Sequence, residues 1–143
     1  MCLLQVYNET EKLFGVQWNI GWKVLKIHEN GLPVFSRKLD GDRTFTLNQI
    51  HVPHNSEYLI DTRNKLKEYK AGFHIFLDRE DAEKYKETDS HLLKICRVLY
   101  REISSIGING DNHFMSLNTK SHGLCIIANQ LVIKEDDWKI ANV

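Results

Sequence analysis

Gly72-Phe73-His74-Ile75-Phe76-Leu77-Asp78-Arg79-Glu80-Asp81-Ala82-Glu83-Lys84-Tyr85 changes its hydrophobic period in mid-stretch. Phe73 to Leu77 is apolar apart from His74, too short for a helix and rich in aromatic residues, which predicts a buried strand. Asp78 then offers an N-cap carboxylate, Glu80 and Asp81 fall in the first turn where the helix dipole favours acids, and Ala82 and Tyr85 can face the core. A buried strand that delivers one histidine and passes at once into a capped helix sets the fold class, because most of the remaining chain reads as β-structure around it.

Upstream, Cys2 to Tyr7 reads as a strand or an extended arm, and Asn8 to Lys12 as a polar turn. The Trp, Val and Ile content from Val16 to His28 predicts a strand around Trp22–Ile27, closed by Glu29-Asn30-Gly31. Pro33-Val34-Phe35-Ser36 suits an edge strand, where proline is tolerated, and Leu39-Asp40-Gly41-Asp42 is a second turn signal. Phe45 and Leu47 alternate with polar residues as in a half-buried strand. Asp61 to Tyr69 favours a short helix capped by Asp61 or Thr62, with an irregular loop as the alternative.

Downstream, Leu92 to Tyr100 is apolar on both parities, the pattern of a strand covered on both faces. Asn109-Gly110 is a hairpin signal linking Ile103–Ile108 to His113–Leu117. Leu124 to Ile133 is a long β-branched strand, and the tail beyond Glu135 reads as peripheral, with Trp138 folding back. The expectation is a single α+β domain over residues 1–143, with a mostly antiparallel sheet of about six strands and one or two short helices.

Lys+Arg and Asp+Glu number 19 each, so the net charge is +0 and the overall field does not favour a DNA or RNA polymer as partner. A local basic pocket for a small phosphorylated ligand is compatible with that balance. With no run of 18 apolar residues and no charged-then-apolar leader, the expectation is a cytoplasmic protein without a membrane span. The three cysteines, Cys2, Cys96 and Cys125, lack C-x-x-C spacing and read as reduced thiols rather than as a disulfide framework or zinc site.

Cys2 follows the initiator methionine, whose removal would leave an α-amine beside a thiol. That amine, titrating near ~7.7–8.0, can act as base for the nucleophile. The alternative is a small hydrophobe at the start of a strand. His74, with an ordinary pKa of ~6.5, is either a general base projected into a cleft or a hydrogen-bonded core histidine. It would form a Cys-His pair with Cys2 if the N-terminal arm docks beside its strand. Lys23, Arg63, Arg97 and Arg101 are candidate phosphate contacts, with Trp18, Trp22 or Tyr58 stacking on a base. Taken singly, each also fits a solvated charge or a core aromatic. His51-Val52-Pro53-His54, with His113 and His122, offers imidazoles without carboxylate or cysteine partners nearby, so no metal site and no cofactor are expected.

Met1-Cys2-Leu3, Trp22-Lys23-Val24-Leu25, Gly72-Phe73-His74-Ile75-Phe76, Glu80-Asp81-Ala82 and Leu131-Val132-Ile133 together resemble a group of small proteins encoded by bacteria and their phages. These begin Met-Cys-Leu and carry a Gly-(Phe/Tyr)-His-x-Phe motif before an acidic helix. The resemblance implies a phage-type accessory, counter-defence protein that recognises a small nucleotide-like signal. Hydrolysis with Cys2 as nucleophile and His74 as base is one expectation. A non-catalytic sponge, or an inhibitor of a host protein with His74 in the core, is the other. A homodimer would suit a sheet with edges to cover.

Overall fold

The structure is a computed structural model that describes residues 9–37, 41–53, 58–60, 68–70, 72–86, 93–110 and 121–142. In chain order its elements are β1 (Thr10–Leu13), β2 (Val16–Ile27), β3 (Pro33–Arg37), β4 (Gly41–Thr44), β5 (Tyr58–Ile60), β6 (Glu68–Lys70), β7 (Phe73–Phe76), α1 (Arg79–Lys86), β8 (Leu93–Gly110), β9 (Ser121–Val132) and α2 (Glu135–Ala141). Seven strands form one antiparallel sheet, and β5 and β6 pair separately. No helix among the described residues is long and apolar enough to cross a membrane.

β2 is the strand against which the others register. One edge pairs with the first half of β8, from Asn19 opposite Tyr100 to Lys26 opposite Leu93. The other edge is shared in turn by β1, by β7 at Trp22 opposite Phe76, and by β3 at Lys26 and Ile27. Because β7 also pairs with β9, and β9 with β8, the sheet closes on itself through β2, β8, β9 and β7.

Strand alternation then sorts side chains between the two sides of that ring. Inside lie Leu25, Ile75, Cys96, Val98, Tyr100, Ile126, Ala128 and Leu131, joined by Phe45, Phe73, Ile133 and Trp138. Outside, Val24, Phe76 and Leu93 pack with Ala82 of α1, and Trp18, Leu99 and Val132 pack with Leu13 and Ile20. The two-sided cover explains why β8 is apolar on both parities. Gly21 permits the close approach of β2 to β7: a Cβ there would stand 3.0 Å from Tyr100 Cε1 and 3.1 Å from Phe76 O, and closer still to Ile75 Cγ2.

The predicted strand at Phe73 and the helix after Asp78 are both present, and Ala82 N donates to Asp78 O in the first turn. Several expectations are corrected. The main sheet has seven strands rather than about six. Thr10–Leu13 is a strand, and the turn falls at Phe14-Gly15, both with positive φ (52° and 77°). Gly41–Thr44 is a strand paired with β3, whereas Phe45 to Ile50 is an irregular segment. That segment is tied down at both ends, by Phe45 N to Pro33 O (2.8 Å) and by reciprocal bonds between His51 and Leu131 (2.8 and 3.0 Å).

Residues 61–67 lie outside the described set, and Glu68–Lys70, expected to end a helix, pairs with β5 instead. Asn109-Gly110 is not a turn. β8 runs through it to Gly110, opposite Ser121, and the expected strand at His113–Leu117 lies outside the described residues. What the sequence presents as two strands, before and after Glu102, is one strand with an irregularity, marked by Glu102 at φ 60° and a register shift between Ile103 and Ser105. The tail is the helix α2, and its Trp138 is buried, donating from Nε1 to Gly31 O at 2.9 Å.

Candidate functional site

Gly21, Lys23 and Leu25 are the inward-facing positions of this part of β2, so the alternation that buries Leu25 also carries a cation into the interior. Lys23 is the buried charged side chain among the described residues, at 2 % exposure. Its alkyl stem shares the apolar interior, and its ammonium donates to the His74 carbonyl at 2.9 Å, 4.2 Å from the centre of the Phe35 ring. A lysine held this way joins β2 to β7 and β3 through a single charged group.

Beside it the sheet leaves a recess lined by Lys23, Phe35, Arg43, Phe45, Pro53, Gly72 and Phe73. Each wall comes from a different part of the fold: β2, β3, β4, the 45–53 segment and the start of β7. The Arg43 guanidinium lies 5.2 Å from the centres of both the Phe45 and Phe73 rings, and its Nη2 donates to Val52 O at 2.7 Å. Phe45 and Phe73 meet edge to face at 5.9 Å, so the two rings near the guanidinium pack on each other. Gly72 keeps the backbone close at this rim, since a Cβ there would lie 2.8 Å from both Ala128 O and Ile127 Cγ2.

His51 stands just behind the recess, its ring 5.0 Å from Phe45 and Nε2 donating to Thr46 O at 2.8 Å. Burial, together with the nearby Arg43 charge, holds its pKa below the ordinary value, while the bond to Thr46 opposes that shift. A neutral imidazole that fixes the 45–51 segment is a structural part of the wall.

The residues singled out from sequence fall in different places. His74 is half-buried and sits opposite Ile127, so it alternates with Phe73 and Ile75 and turns away from the recess, to which it contributes only its carbonyl. Cys2, Arg63 and His54 lie outside the described residues, as do the side chains of Tyr58 and His122. Trp22 lies on the outer side of the ring, with the Arg79 guanidinium 5.3 Å from its ring centre. Arg97, directly opposite Trp22, is engaged by Asp137 at 3.1 Å and by Glu11 at 3.7 Å, and Glu11 also receives Lys134 at 3.0 Å. Arg101 lies 5.4 Å from the Trp18 ring centre.

The structure therefore brings Lys23 together with Arg43, Phe35, Phe45 and Phe73, four residues the sequence did not nominate. Arg43 falls between the expected turn at Leu39-Asp40-Gly41-Asp42 and the alternating stretch that begins at Thr44, and neither reading singled it out. The available signal was Lys23 itself, a cation at an inward position of an apolar strand. Cys96 and Cys125 are buried, and desolvation pushes their thiols up to about 12 and about 11. Among the described residues no three of His, Cys, Asp and Glu are grouped as metal ligands. No protein-family model matches the chain, and neither does any curated protein or solved structure.

Proposed function

We propose that this protein binds a small, anionic, nucleotide-like ligand, whose charged end enters the recess between β7, β3 and β4. The observation that carries this reading is the presence of two cations, Lys23 and Arg43, held against three phenylalanine rings in one concave site. An ammonium and a guanidinium suit a phosphate group, and apolar walls strengthen both attractions by lowering the local dielectric. The groups lining the recess are of a kind that binds. The His74 imidazole, the candidate general base, is on the opposite face of β7, which favours a sequestering protein over a hydrolase. The setting, a phage-type accessory protein that captures a nucleotide signal in the host cytoplasm, is taken from the sequence resemblance.

A thermal-shift panel of mononucleotides, cyclic dinucleotides, ADP-ribose derivatives and NAD tests the reading, because a ligand that binds only the native state raises the Tm by mass action. The expected result is a dose-dependent rise in the natural protein that is lost in Lys23→Met. A flat response to every member at millimolar concentration would remove the nucleotide reading and favour a protein partner.

A further inference from the structure

From Ile103 to Gly110 the chain carries no charge and no proline, and three of these eight residues are isoleucine. This half of β8 pairs with β9 along one side. Along its other side no strand pairs with it among the described residues: the ladder with β2 stops at Tyr100, and β6 approaches β8 without forming a ladder with it. Edge strands that stay single carry charges or prolines that deter a second strand from adding on. The edge strands β1 and β4 follow that rule, β1 with Glu11 and Lys12 and β4 with Asp42 and Arg43. Beyond Glu102, β8 has neither device.

Its faces are open too. Ile106 stands opposite Ile126 and Ile103 opposite Ala128, so both continue the apolar inner face of the sheet, yet they are 62 % and 45 % exposed. Leu124, two positions from Ile126 on the same face, is 36 % exposed. On the opposite face, nothing lies within 4 Å of a Cβ built on Gly107. Between the register shifts at Ile103/Ser105 and Ile108/Gly110 the strand runs regularly, so its backbone suits a further ladder there.

We infer that this edge pairs antiparallel with the same edge of a second copy of the chain, joining two sheets through a two-fold axis near Ile106. Self-pairing sets each residue against one from the same segment, which is disfavoured when like charges meet and favoured when β-branched residues do. An uncharged segment with isoleucine at its middle meets both conditions. The two-fold keeps the inner faces on one side, so Ile103 and Ile106 of both copies form one apolar stripe. It also uses up the edge in each copy, which closes the assembly at two. The chain's net charge of +0 sets up no long-range repulsion between copies.

The test is sedimentation velocity of the full chain across a concentration series, with Ile106→Lys and Ile140→Lys alongside. Both substitutions add one cation at an exposed position, but Ile140, 71 % exposed, lies on α2. Near-ultraviolet circular dichroism checks that each variant is folded. The natural chain and Ile140→Lys are expected to form dimers, and Ile106→Lys to dimerise at least about tenfold more weakly, as like charges meet across the axis. A natural chain that is monomeric at every concentration would overturn the inference and leave the edge to an extended segment of another protein. A dimer that survives Ile106→Lys, or is lost equally in both variants, would also overturn it, as would open-ended oligomers.

Discussion

Gly21→Ala tests the closure of the sheet, because it adds one carbon where β2 pairs with β7. The new Cβ would lie 3.0 Å from Tyr100 Cε1 and 3.1 Å from Phe76 O, and closer still to Ile75 Cγ2. Ordinary carbon contacts need roughly 3.5–4.0 Å. Ile75 is at 0 % exposure and Tyr100 at 2 %, so neither side chain can swing into solvent to relieve the overlap. Overpacking of this kind costs about 1–3 kcal/mol. For a chain of this length each kcal/mol lowers the Tm by roughly 4 °C, so a drop of about 4–12 °C is expected in a calorimetric or circular-dichroism melt. Gly107→Ala is the matched control, since nothing lies within 4 Å of its added Cβ. Its effect should stay within about 0.5 kcal/mol. A Gly21→Ala melt that coincides with that of the control would refute the close pairing of β2 with β7 at this point.

Other measurements address the surroundings of the site. Arg97→Ala, which loses partly buried ion pairs to Asp137 and Glu11, should cost about 1 kcal/mol, and less at high salt, in urea titrations; the proposed nucleotide binding should be unaffected, because Arg97 lies away from the recess. Cys96 and Cys125 should resist alkylation in the native protein at mildly alkaline pH and react promptly once it is unfolded, which peptide mass spectrometry resolves site by site. His51, whose pKa is lowered on folding, binds its proton more readily in the unfolded chain. Its contribution is therefore complete above the ordinary value of 6.5 and is lost as pH falls below it towards the folded value, so stability should rise with pH across that window, more shallowly in His51→Gln.

The parts of the fold that were legible in sequence are those where local chemistry and tertiary environment agree. Phe73 to Lys86 changes from an aromatic strand to a helix with acids in its first turn, and the chain does the same. Leu92 to Tyr100 advertises two covered faces, and both sides of β8 are covered. Asn109-Gly110 misled because a favourable turn pair can also sit in an extended strand when the partner strand continues alongside it. Thr10–Leu13 and Gly41–Thr44 are polar segments whose strand character comes from pairing with β2 and β3, a non-local cause.

The site was half legible. Lys23 stood out as a cation near Trp22, but which face of β2 it occupies depends on register, and register brings it inside while sending Trp22 and Arg97 outside. Arg43 reaches Phe73 across 30 residues of sequence, and no local pattern records that contact.

The central claim is that Lys23 and Arg43 form an anion site, and the most direct measurement is calorimetric titration of adenosine 5′-monophosphate into the natural protein and into Arg43→Gln, with near-ultraviolet circular dichroism confirming that both are folded. The expected result is saturable binding to the natural protein and at least about tenfold weaker binding to the variant. Equal affinity in the two proteins would contradict the claim.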